Sequence, residues 1–179
     1  MRLSSKILIG VGLTLVVVLV AGVFLSYYLI TKSFPQTDGT LTVAGITADV
    51  HVYRDEYGVP HIFAQSEDDA YTAVGFLHAQ DRLWQMDLIR RAGMGRLAEV
   101  LGQPALKVDK MFRTLGLWEH AGTLSAALDE QTRRLLERYA SGVNAYIAAH
   151  KGNYPVEFDL LNITPELWRV EHSILLSRL

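Results

Sequence analysis

The run from Ile7 to Ile30 constrains this chain most: 24 residues pass without a single charge. As a helix it would extend about 36 Å, enough for a tilted crossing of a bilayer. A core helix of a soluble domain is rarely apolar on every face, and a cleavable secretory signal carries a shorter apolar region of about 7 to 15 residues. The length therefore favours an uncleaved transmembrane signal anchor over residues 7–30, with residues 1–6 as its cytoplasmic start. Arg2 and Lys6 precede the run and only Lys32 closely follows it, so the positive-inside bias puts the amino terminus in the cytoplasm. The main part is then periplasmic or extracellular, and Tyr27 and Tyr28 suit the outer interface. Cleavage stays open as a second reading, since Thr42-Val43-Ala44 and Ile46-Thr47-Ala48 offer small-residue sites beyond the run.

The chain contains no cysteine, which excludes disulfides, thiolate metal sites and a cysteine nucleophile within it. From Ser33 onward 14 Lys and Arg face 19 Asp and Glu, a net charge of −5. Such a surface offers nucleic acid no basic footprint, so no nucleic-acid partner is expected.

Residues 31–48 read as a linker entering a first strand, with Leu41 and Val43 beginning to pair. Val50 and Val52 alternate with His51 and Tyr53, and residues 54–58 form a polar turn before Val59 to Ala64 resumes as extended chain, which predicts a β-hairpin. Pro60 lacks an N–H and places the second strand at an edge. Ser66 with Glu67, Asp68 and Asp69 starts a helix that runs to about Arg91, apolar over much of its circumference and therefore largely enclosed. Gly93 and Gly95 end it, and a short helix over Arg96 to Leu101 stops at Gly102 and Pro104. Asp109 is expected to cap the next helix, with Met111, Phe112, Leu115 and Trp118 inward and an interruption at Gly116. Asp129 caps the clearest amphipathic helix, whose inner face is Leu135, Leu136, Tyr139, Val143, Tyr146 and Ile147. Val156 to Leu161 reads as extended, and Thr164-Pro165-Glu166 as a helix start. Leu179 stops the sequence within an apolar run, so a truncated domain is expected.

The search for chemistry is mostly negative. The six His residues form no H-x-x-x-H pair, and there is no G-x-S-x-G elbow and no phosphate-binding glycine loop. Asp55-Glu56 and Asp68-Asp69 are better explained by a turn and a helix start. His78, Gln80, Asp81, Arg82 and Gln85 fall on the crowded helix. Structural connection by Asp81 and Arg82, support of a site built elsewhere, and a direct catalytic role for His78 or Asp81 all remain open.

Val52 to Ile62, Gly75 to Asp87, Arg90-Arg91 and Gly95 to Gly102 resemble, in order and spacing, the opening of the penicillin acylase (penicillin amidase) family. Asp109-Lys110, Arg113 to Gly116, Tyr139 to Tyr146, Pro155-x-Glu157-Phe158 and Pro165 to Trp168 continue the resemblance. It implies an α+β fold: an N-terminal transmembrane helix, a β-hairpin, then a mostly helical α-chain segment of an αββα N-terminal-nucleophile hydrolase. Residues 49–179 would be a partial α-chain region. The implied reaction is hydrolysis of a linear amide in a penicillin, cephalosporin or acyl-homoserine lactone. The nucleophile would be the first residue of a β chain cut from the same precursor, with its own α-amine as base. No Gly-Ser junction is present and the one Ala-Ser, Ala140-Ser141, lies within the amphipathic helix, so no catalytic, cofactor-binding or metal residue is assigned here. The fragment alone is expected to be inactive. Its implied partners are the β chain, a small acylated amine and the membrane through residues 7–30, with Ca²⁺ an option only in the full-length protein. A noncatalytic membrane-tethered ectodomain that binds a partner is the alternative.

Overall fold

The computed structural model describes residues 2–179 and falls into two compact units, residues 1–34 and 35–179. Met1 and the side chains of residues 2–6 and 8 lie outside the described residues, and with them the basic pair Arg2 and Lys6.

The first unit is one helix, α1 (Arg2–Thr31), whose stretch Ile9–Thr31 is long and apolar enough to cross a membrane. Its two threonines hide their polarity within the helix. Thr14 Oγ1 donates to the Gly10 carbonyl and Thr31 Oγ1 to the Tyr27 carbonyl, so neither hydroxyl needs an outside partner.

The second unit opens on an extended segment, residues 35–50, in which Leu41 and Val43 form no strand. The first strand is β1 (His51–Arg54), paired antiparallel with β2 (Pro60–Phe63) in a two-stranded sheet. The expected hairpin is present, and Pro60 opens its second strand. Residues 35–50 are nonetheless held in place: Asp69 accepts from both Thr47 N (2.8 Å) and Thr47 Oγ1 (2.9 Å), and Val43 packs on the main core.

Two long helices make that core. In α2 (Glu67–Gly93) Ser66 caps the first turn, its hydroxyl accepting from Asp69 N. In α6 (Glu130–Ala149) Asp129 does the same for Thr132 N. Their packed faces contribute Phe76, Ala79, Leu83 and Met86 from one helix and Ala140, Val143, Tyr146 and Ile147 from the other. The crossing is backbone against backbone. A Cβ on Gly75 would lie 2.0 Å from the Tyr139 carbonyl oxygen, and one on Gly142 would lie 1.9 Å from that of Thr72. Glycine within a helix costs up to about 1 kcal/mol against alanine, and here close approach is what it permits.

Between these helices run α3 (Ala98–Leu101), α4 (Leu106–Leu115) and α5 (Leu117–Ala126), separated by Gly102 and by Gly116 in the left-handed conformation at φ 65°. The chain closes with α7 (Val156–Leu160) and α8 (Val170–Leu176), and Val170, Ile174 and Leu175 of α8 build a second, smaller core with Ala121 of α5.

Several expectations are corrected. The segment after Pro155 is helical, not extended, because Pro155 fixes a cap geometry and Phe158 turns inward. Thr164-Pro165-Glu166 starts no helix; residues 162–169 stay irregular and the helix begins at Val170, while Asn144 bonds Trp168 through both backbone groups. Met111 and Leu115 are exposed, not inward. Asp109 lies inside α4 and caps α3 instead, accepting from Leu97 N and Ala98 N at 2.8 Å each. Helix α2 is broken at Arg82 (φ −142°, ψ 23°), and His78, Asp81, Arg82 and Gln85 form an open stripe, so the helix is not enclosed on all sides.

Candidate functional site

The polar residues of the α2 stripe are committed to neighbours. Arg54 reaches from β1 to grip Asp81 with both nitrogens at 2.9 Å, and also donates to Gln80 Oε1 and to the Gly58 carbonyl. One guanidinium thereby ties the hairpin turn to α2, and both Asp81 oxygens are engaged. A bidentate pair of this kind holds geometry more than it frees a base. His78 Nδ1 is 3.1 Å from the Tyr139 hydroxyl. Burial lowers the pKa of His78 against the opposing pull of Asp81, and burial pushes Tyr139 up to about 12, so the phenol keeps its proton. Arg82 at the break reaches Gln85, at 3.4 Å.

At the far end of α2 lies a buried ion network. Asp87 pairs with Arg90 and, through a 2.6 Å bond, with Arg91. Arg91 continues to Glu99, and Arg96 bridges Glu99 and Glu166. Arg96 donors hold both Glu99 and Glu166 below the usual carboxylate range, while burial lowers Arg90. Asp87 and Arg90 are almost fully out of solvent, at 3% and 1% exposure. Charges so placed persist only when paired, because each unpaired ion would face several kcal/mol of desolvation.

His172 faces this network from α8. Its Nδ1 accepts from Arg169 N at 3.1 Å, its ring stacks on Trp118, and among the described residues Nε2 has no hydrogen-bond partner. Burial, followed by the nearby Arg90, lowers its pKa to about 3, so it is a neutral ring. On the hairpin, Asp55 accepts from Tyr57 N and Val59 N and lies 3.2 Å from His61 Nε2. This His–Asp contact braces the turn.

Among the described residues no group of three His, Asp or Glu side chains is arranged to hold a metal. The buried carboxylates Asp69, Asp87 and Asp109 are spent on backbone N–H groups, a hydroxyl and guanidiniums. Two open depressions lie in this unit: one of about 680 Å³ between α6 and residues 168–171, and a groove of about 580 Å³ between residues 36–43 and β1, floored by Ala73, Phe76, Leu77 and Gln80.

The family model for penicillin amidase matches residues 49–179. This chain belongs to the penicillin amidase family. Penicillin acylase 2 proenzyme of Pseudomonas sp. (strain SE83) is 43% identical over 146 residues, 82% of this chain and 19% of that protein. Acyl-homoserine lactone acylase QuiP of Pseudomonas fluorescens is 37% identical over 144 residues, 80% of this chain and 18% of that protein. Thermostable penicillin G acylase from Alcaligenes faecalis shares the fold with a TM-score of 0.64 at 34% identity, covering 71% of this chain and 69% of the solved chain. The chain thus spans less than a fifth of the length of these two curated relatives. In the family's frame the residues that carried the resemblance have visible work: Arg54 and Asp81 clasp the hairpin, Asp87 to Arg96 knit α2 to the α3 region, and Gly75 and Gly142 seat two helices together. Sequence reading missed the pairing of Arg54 with Asp81 and of Asp69 with Thr47, because neither spacing is local. The signal available for Gly75 and Gly142 was their place inside strong helices.

Proposed function

We propose that this chain is the amino-terminal part of an acylase precursor that hydrolyses a linear amide, removing the acyl side chain of a β-lactam or of an acyl-homoserine lactone. The observation that carries the reading is the continuous family match over residues 49–179. The similarity to a proenzyme and to an acyl-homoserine lactone acylase supports both substrate classes.

In this reading the described residues do not break the bond. The nucleophile is the first residue of a β chain released by self-cleavage further along the precursor. Its hydroxyl attacks the amide carbonyl, its α-amine takes the proton, the amine leaves protonated, and water then releases the acid. The chain described here supplies a wall, held rigid by the Arg54–Asp81 clasp and the Asp87 network. A calcium ion in the full-length protein would draw its ligands from elsewhere in the precursor. Helix α1 anchors the whole, amino terminus in the cytoplasm, with the enzyme body in the periplasm or outside the cell.

The test is expression of the full gene product followed by assays of self-cleavage and of hydrolysis of penicillin G and acyl-homoserine lactones. Cleavage into two chains with release of the acyl acid is expected. A protein that stays intact and turns over neither class would instead be a membrane-tethered binding ectodomain. Extraction at alkaline pH and amino-terminal sequencing test the anchor; a soluble product beginning at or after residue 33 would overturn it.

A further inference from the structure

Arg90 near the end of α2 and His172 in α8 are each only 1% exposed, and each keeps a ring or guanidinium nitrogen without a partner among the described residues. The other two nitrogens of Arg90 are engaged: Nη2 donates to Asp87, and Nη1 donates to the Glu166 carbonyl at 3.3 Å. Its Nε–H is left over. On His172 the nitrogen left over is Nε2. The two side chains are neighbours, since no charge acts on the His172 ring more strongly than that of Arg90.

The two nitrogens cannot satisfy each other. The backbone N–H of Arg169 can only donate, and it points at His172 Nδ1 from 3.1 Å, so Nδ1 carries the lone pair. In a neutral imidazole the proton then sits on Nε2. Arg90 Nε is a donor in every state. Two buried N–H groups therefore meet with no acceptor between them, an arrangement native structures avoid. The aromatic walls supply none. The Trp118 ring stacks on His172, the Trp168 ring meets it edge-on at 5.3 Å, and the Trp168 indole N–H is given to Ser173.

Charge balance says what kind of acceptor fits. Asp87, Glu99 and Glu166 already match Arg90, Arg91 and Arg96 in the adjoining network. Arg169 lies exposed over Trp118 and is solvated. An anion at this point would be an additional buried charge without a counter-ion, so the ligand is neutral. We propose that one internal water molecule is bound here, accepting from Arg90 Nε–H and His172 Nε2–H and so joining α2 to α8. Water has a lone pair for each donor and two hydrogens of its own to give, and buried waters are held by two to four such partners. The Glu166 carbonyl, which offers a second lone pair beside Arg90, is one acceptor for those hydrogens.

A crystal structure of the full-length gene product tests the site. The expected result is one spherical density peak within about 3.2 Å of both nitrogens. Two separate waters, no peak, or a protein acceptor from beyond residue 179 overturns the proposal. Crystals grown with bromide in place of chloride separate water from an anion: an anomalous peak at this point also overturns it. The tautomer is checked independently by solid-state NMR of the full-length protein with ¹⁵N-labelled histidine, the His172 signals being those lost in His172→Phe. A protonated Nε2 and a bare Nδ1 are expected at neutral pH. The opposite tautomer would let Nε2 accept directly from Arg90, leave no need for water, and sink the proposal.

Discussion

The α2–α6 crossing and the hairpin groove lie next to each other and differ in completeness. At the crossing, glycines bring carbonyl oxygens within what would be 2 Å of an added Cβ, and Phe76 meets Tyr146 edge to face at 5.4 Å. At the groove, β1 borders open space over a floor that includes Ala73, Phe76 and Leu77. One region is closed by its own packing, and the other is left as an open groove.

The comparison breaks hardest at the ion network that extends α2 beyond the crossing. Asp87→Ala strands two buried guanidiniums, and a loss of about 3 to 5 kcal/mol is expected in denaturant unfolding of the full-length protein. Turnover per folded molecule should change little, since this network holds the frame only. Next comes Gly142→Ala, which forces a methyl against the Thr72 carbonyl and should cost about 3 kcal/mol, the upper end of overpacking.

His172 gives a smaller effect with a pH signature. Its folded pKa of about 3 lies below the ordinary value of 6.5 for an unfolded His, so the unfolded chain binds the extra proton first. Stability should therefore fall as pH drops from about 6.5 towards about 3. His172→Phe should flatten that slope, measured by thermal unfolding across the range. It should also stay within about 1 kcal/mol of the parent at neutral pH, the scale of the bond lost to Arg169 N.

The smallest expected change is at the groove wall. The Thr47 N–H holds the pKa of Asp69 below its ordinary 3.8, so this contact stabilises the fold above that pH. The contribution is lost as pH falls through the lowered value. Asp69→Asn should unfold more easily than the parent at pH 7, with the gap closing in acid. It should also quicken exchange at residues 36–43, while the α2–α6 crossing keeps its protection.

Elements with a local signature were legible in advance. The hairpin alternation, Ser66 and Asp129 as caps, and Gly116 as a break all follow from a few neighbouring residues, and each is found. Errors fell where a distant contact outweighs the local pattern. Asp109 looked like its own helix's cap, but two free N–H groups at the start of α3 claim it. Pro165 looked like a helix start, but Asn144 fixes Trp168 in irregular chain and delays the helix.

The sequence by itself determined a helix apolar enough for a membrane and a chain in the penicillin amidase family, because hydrophobic length and ordered motifs are properties of the string. Only the tertiary structure decided what the motif residues do. Arg54 and Asp81 are 27 positions apart, Asp69 and Thr47 are 22, and Gly75 faces Tyr139 across two helices. Such partners are chosen by packing, which couples residues through space and leaves no spacing rule in the sequence.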